Sequence, residues 1–184
     1  MMLSAQRRLR PLLVALSIPL LSGCLMLKSD GDQMREDMES QFGVKITDDK
    51  LREAIKLYNE NRRLLRELYE LRKSDNPPIT GAQTLAATVA STAMPPERYN
   101  QVLKELLDDV KSGEGTSDCQ ARLMILGGEL DNPEFLKVIE DLDALVVTDA
   151  LCFGSRLLWK DVDESIDDPL TALAQYQIDE RPSC

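Results

Sequence analysis

The stretch RLMILGGELDNPEFLKVIEDLDALVVTDALCFGSR, residues 122–156, decides the fold. It opens on a continuous apolar run of strand length, Arg122 to Leu126, stopped by Gly127-Gly128. Asn132-Pro133 then offers an N-cap and N1 pair, and Phe135, Leu136, Ile139 and Leu142 supply a helical face. Ala144 to Val147 reads as a second, short buried strand. Strand, helix and strand within about thirty residues make a βαβ unit, parallel and right-handed by the usual rule.

Ligands of such units sit on the loops beyond the carboxyl ends of the strands. Cys152, Gly154 and Arg156 fall on that loop, and Gly127-Gly128 lies at the matching edge of the neighbouring strand. A thiolate there could be a nucleophile, a redox thiol or a metal ligand. A nucleophile wants a base, and the chain has no histidine. A redox thiol wants a resolving partner, and none is close in sequence. Soft thiolate suits iron, with further ligands arriving from distant loops. On that reading Gly154 leaves room for a bulky cluster, and Arg156 offsets its negative charge or binds a phosphate. A buried, inert cysteine is the competing reading, since cysteine is among the most buried residue types.

Upstream the period is helical. GDQMREDMESQF, residues 31–42, reads as a short amphipathic helix closed by Gly43 at C′. Thr47 offers an N-cap, with Asp48 and Asp49 complementing the dipole of a long helix to Lys73. Leu51, Ile55, Tyr58, Leu64, Leu65, Leu68 and Leu71 form its buried stripe, and its charges form a solvated face. Asn76-Pro77-Pro78 breaks this helix. Thr80 and Gln83 then make a capping-box pattern for an Ala/Thr-rich helix to about Ala93. Pro95-Pro96 starts another, with Tyr99, Val102, Leu103, Leu106 and Val110 on one side. KSGEGTSD, residues 111–118, is a linker by composition.

Composition narrows the chemistry. The absence of histidine among 184 residues removes Ser-His-Asp and Cys-His mechanisms and imidazole-ligated zinc. Cys24, Cys119, Cys152 and Cys184 contain no CxxC pair, which excludes a zinc ribbon or thioredoxin motif. A net charge of −10 and 4% aromatic residues oppose nucleic-acid binding. The first thirty residues differ, with a balance of +3 against −13 in the remainder. SAQRRLRPLLVALSIPLLSGC, residues 4–24, has a basic start, an apolar middle and small residues before a cysteine, which is signal-peptide grammar. Leu21-Ser22-Gly23-Cys24 is similar to a bacterial lipobox, in which Cys24 would be lipidated.

Five stretches in order carry a family resemblance: GVKITDDKLREAIKLYNENRRLLRELYELRK (43–73), NPPITGAQ (76–83), RLMILGG (122–128), VVTDALCFGSR (146–156) and DPLTALAQY (168–176). Over residues 34–184 the chain resembles the 2-hydroxyacyl-CoA dehydratase D-component family, which includes the benzoyl-CoA reductase iron–sulfur subunits. The resemblance implies an anaerobic, cytoplasmic, heteromeric enzyme acting on an acyl-CoA thioester. It implies a related second subunit, a [4Fe–4S] cluster held by cysteines on different loops, and an ATP-hydrolysing iron–sulfur activator that delivers single electrons. Transfer of one electron would form a ketyl-type radical that eliminates water, and the benzoyl-CoA branch reduces an aromatic ring. Cys152 matches the family's ligating cysteine after the strand, and Cys184 is similar to a cysteine after proline in some members. The family's pattern includes a further α/β half before the long helix and continues past the last residue here, so the resemblance implies a partial or rearranged member.

The expected fold is α/β. A helical N-terminal half, one long helix and two shorter ones, leads into a partial parallel βαβ unit of the Rossmann or flavodoxin kind. The expected organisation is a leader-like segment at 1–30, a helical region at 31–112 and a partial, truncated α/β domain at 113–184. The expected location is the cytoplasm, with a membrane-anchored lipoprotein through Cys24, carrying a binding or scaffolding body, as the alternative.

Overall fold

The structure, a computed structural model, describes residues 30–115 and 119–180. They are mostly helical with one two-stranded parallel sheet, an α/β arrangement. The elements are α1 (30–42), α2 (Asp48–Leu71), α3 (Gly81–Ala93), α4 (Pro96–Ser112), β1 (Ala121–Leu126), α5 (Glu134–Glu140), β2 (Ala144–Ala150) and α6 (Pro169–Gln175). A 3-10 turn spans Ser155–Leu158, and a π-helical turn, Tyr176–Glu180, follows α6. No helix among the described residues is long and apolar enough to cross a membrane.

Two compact units are present, and residues 30–52 with 163–179 belong to one of them. In it α1 stops where the sequence says it should. Gly43 takes φ +63°, a left-handed conformation that glycine adopts without steric cost, and its N–H bonds the Glu39 carbonyl. The Thr47 hydroxyl then accepts the Lys50 N–H at 3.3 Å, so the N-cap expected for α2 is present. Arg35 bridges Asp32 and Asp48 at 2.8 and 2.9 Å. Near the other end of this unit the Thr171 hydroxyl donates to the Asp168 carboxylate at the start of α6.

The other unit contains residues 53–162 and the sheet. Leu65 and Leu68 of α2, Ile79, Tyr99, Leu103 and Leu107 of α4 and Leu158 form one apolar core. Leu85 of α3, Leu136 of α5, Val146 of β2 and Leu151 form a second. Helix α3 starts with a complete capping box: the Thr80 hydroxyl accepts the Gln83 N–H, and the Gln83 side chain accepts the Thr80 N–H. Pro96 opens α4, as expected of proline at N1.

Three sequence expectations change here. Strand β2 does not stop at Val147 but continues to Ala150, past a register irregularity between Leu123 and Met124 of its partner. The polar pair Thr148-Asp149 lies inside the strand because the Asp149 side chain is hydrogen-bonded within the fold. The apolar face expected of α5 divides: Leu136 is 2% exposed, whereas Phe135 and Leu142 are 63% and 78% exposed. Adjacent helical residues point about 100° apart, and α5 turns the Leu136 side into the core and leaves Phe135 on its outer side. Finally, α2 buries polar groups along with its leucines. Asn59 and Asn61, with Arg72 just past the helix, are buried while Tyr58 is exposed, so the polar residues of this segment are not all solvated.

Candidate functional site

The loops after β1 and β2 meet at the carboxyl edge of the parallel pair. The Gly127 N–H donates to the Ala150 carbonyl, and the Cys152 N–H donates to the Gly128 carbonyl at 3.2 Å. Cys152 is half-buried on this edge, where the βαβ pattern places it. Arg156 is half-buried in the turn that follows, its N–H on the Leu151 carbonyl.

Asp149, three residues before the thiol, organises the loop. Its Oδ1 accepts the Ser155 N–H at 2.8 Å, and its own carbonyl accepts the Ser155 hydroxyl at 2.6 Å. Its Oδ2 accepts the Tyr69 hydroxyl at 2.8 Å and Arg72 Nη1 at 3.3 Å. Arg72 Nη2 reaches the Val146 carbonyl at 2.8 Å, and its guanidinium stacks 4.8 Å from the Tyr69 ring centre. The Arg72 and Asp149 side chains are 1% and 5% exposed. Burial pushes the Tyr69 phenol far above its ordinary range, and the Asp149 charge pushes it further while Arg72 opposes. Tyr69 is therefore a fixed hydrogen-bond donor.

Gly154 has a reason other than space for a cluster. A Cβ there would stand 2.0 Å from Asp149 Oδ1, so the carboxylate already fills the room that a side chain would take. The expectation that Gly154 opens space beside Cys152 is replaced by this contact.

Helix α2 also grips the chain beyond the loop. Asn59 donates to the Val162 carbonyl and accepts the Val162 N–H, at 2.8 and 2.9 Å. Arg63 and Arg66 both bond Asp161 at 2.6 Å, and Arg66 reaches the Leu158 carbonyl. Asn59, Arg63 and Arg66 recur at spacings of four and three, so they share one helical stripe, and Tyr69 and Arg72 follow at further steps of three, Arg72 just past the end of the helix. That polar period was readable in the sequence, and reading the charges of α2 as a solvated face passed over it.

The other described thiol lies elsewhere. Cys119 precedes β1 and lines a cavity of about 360 Å³ with Thr80, Glu140, Asp143 and Ala144, at the amino end of the strands. A second cavity, about 210 Å³, is lined by Tyr58, Asn61, Arg62, Thr92 and Leu157. It is smaller than the roughly 300–1,000 Å³ typical of pockets for drug-sized ligands. Cys24 and Cys184 lie outside the described residues. A [4Fe–4S] cluster takes four thiolates in its common form. No group of three Cys, His, Asp or Glu side chains converges among the described residues, so these residues by themselves do not fit a cluster.

A parallel strand pair bearing a thiol loop at its carboxyl edge, braced by a long helix, defines an α/β protein. The chain belongs to the 2-hydroxyglutaryl-CoA dehydratase D-component family, whose model matches residues 2–184. The match reaches back across the first thirty residues, further than the resemblance over 34–184. The chain is 32% identical to a benzoyl-CoA reductase subunit of Thauera aromatica, over 78% of this chain and 37% of that protein. It is 27% identical to the beta subunit of lactoyl-CoA dehydratase of Anaerotignum propionicum, over 81% and 40%. With the beta subunit of (R)-2-hydroxyglutaryl-CoA dehydratase of Acidaminococcus fermentans it shares 27% identity, over 77% and 38%. The chain thus spans about two fifths of the length of the curated relatives it matches.

Proposed function

We propose that this chain is part of a subunit of a 2-hydroxyacyl-CoA dehydratase or benzoyl-CoA reductase type of iron–sulfur enzyme, working in the cytoplasm. The observation that carries the reading is the thiol of Cys152 on the carboxyl-edge loop of a parallel pair in a chain of this family. In this reading Cys152 contributes one thiolate to a [4Fe–4S] cluster, Arg156 lies on the same loop as a compensating cation, and Cys184 is a further candidate ligand. The remaining ligands come from polypeptide other than the described residues. A bound cluster would supply single electrons at low potential. The substrate is an acyl-CoA thioester, the partners are a related second subunit and an ATP-dependent iron–sulfur activator, and the net reaction is dehydration or reduction.

The test is anaerobic expression of the full chain with a related family subunit, followed by iron and sulfide analysis. The expected result is bound iron that falls when Cys152→Ser is introduced. Iron content unaffected by that substitution, or absent from the complex altogether, would overturn the assignment of Cys152. Lipidation at Cys24 is the second reading, favoured by the lipobox-like residues 21–24. Mass spectrometry of the mature N-terminus separates the two: a diacylated Cys24 supports a tethered lipoprotein, and an unmodified Met1 in the soluble fraction removes it.

A further inference from the structure

We infer that Asp149 is a positioning residue for Cys152, and that Tyr69 of helix α2 and Arg72 just past its end hold Asp149 in that role as a buried latch on the thiol loop. The inference deepens the reading of Cys152 as a ligand and rests on that reading for its purpose, though its geometry stands apart from any cluster.

The hydrogen bonds of Asp149 divide into two pairs. One pair ends on Ser155, three residues past the thiol, through the side chain to the N–H and through the carbonyl to the hydroxyl. These two bonds close a short ring of chain from Asp149 to Ser155 with Cys152 at its middle. The other pair ends on Tyr69 of α2 and on Arg72 just past that helix. Arg72 also bonds the Val146 carbonyl, so its guanidinium fixes the carboxylate relative to the strand rather than merely neutralising it.

Gly154 completes the device. With no side chain it lets the ring draw in against Oδ1, an approach that any Cβ would block. Buried ion pairs are often no more stabilising than well-packed apolar residues of the same volume. Leucines in place of Arg72 and Asp149 could fill the space, but they could not accept the Ser155 N–H and hold the loop closed. The polar arrangement is therefore accounted for by the conformation it imposes on residues 150–155, where the thiol sits.

The experiment measures iodoacetamide alkylation of the reduced, iron-free full chain at neutral pH, resolved by peptide mass spectrometry, with Cys119 as internal reference. Asp149→Asn removes the charge paired with Arg72 and replaces one acceptor oxygen with a donor. Local opening of the loop is expected to speed alkylation of Cys152 about tenfold, with Cys119 unchanged within about twofold. Tyr69→Phe removes one hydrogen bond and leaves the ion pair, and is expected to speed Cys152 about threefold. A Cys152 rate equal to the parent's in folded Asp149→Asn overturns the inference. So does equal acceleration of both thiols, which marks general loosening. If Asp149→Asn does not fold, Tyr69→Phe decides alone, and an unchanged ratio of the two thiols overturns the latch. Because the readout uses iron-free protein, failure of the latch and failure of cluster binding are separate results.

Discussion

The two ends of the β1–β2 pair solve the same problem with different chemistry. At the amino end the Glu140 carboxylate takes up three backbone donors: the Gly81 N–H at 2.7 Å, the Ala82 N–H at 3.2 Å and the Val146 N–H at 3.2 Å. Two of these are orphan donors of the first turn of α3, so the helix dipole itself favours the negative charge. Glu140 is half-buried and borders the 360 Å³ cavity. At the carboxyl end Asp149 is buried and is met by an equally buried arginine. A half-exposed carboxylate can be satisfied by backbone and water, whereas a buried one needs a fixed cation or becomes a large penalty. The first arrangement ties a helix to a strand; the second dictates the path of a loop.

Substitutions should separate the ends in order of size. Arg72→Met strands Asp149 in the interior and is expected to destabilise the chain by about 3–5 kcal/mol in urea unfolding. Adding Asp149→Leu should recover much of that loss, since the cost lies in the unpaired charge. Gly154→Ala forces a methyl group against Asp149 Oδ1 and should cost about 2–3 kcal/mol, an overpacking effect confined to the carboxyl end.

Alkaline pH offers a finer probe. Burial holds the phenols of Tyr69 and Tyr99 above the ordinary value of 10.0. The unfolded chain therefore ionises first, so stability is whole below pH 10.0 and falls as pH rises past it. Each phenol contributes a slope of about 1.4 kcal/mol per pH unit in that window, so Tyr69→Phe should make the alkaline fall measured by denaturant titration shallower by about that amount.

At the amino end the effects should be smaller. Glu140→Gln keeps one acceptor oxygen for three donors and is expected to cost about 1 kcal/mol by urea unfolding. Lys104→Ala, which removes an exposed pair with Glu60, should stay within about 0.5 kcal/mol and sets the floor of the comparison. An Arg72→Met effect no larger than that of Glu140→Gln would erase the distinction between the two ends.

What could be read along the chain was local. The stop of α1 at Gly43, the cap at Thr47, the capping box of Thr80 and Gln83 and the proline start of α4 are decided within four or five residues. The strand–helix–strand rhythm placed Cys152 at the correct edge for the same reason. The family, too, was legible, because order and spacing of several stretches survive in the sequence. The latch was less visible. Tyr69 and Arg72 are separated from Asp149 by 80 and 77 residues, and an arginine in a helix looks solvated until its partner is known. Gly154 suggested open space because a glycine shows what is missing from its own position, not what fills it.

The sequence by itself determined helices α1 to α5, the ends of α1 and the starts of α2 to α4, the parallel pair and the edge on which the thiol stands, since each follows from side-chain period, capping and backbone preference over short spans. Tertiary structure alone decided which charges went inside. Burial of Arg72 with Asp149 depends on two distant segments arriving together, and only their meeting can offset the cost of removing both charges from water.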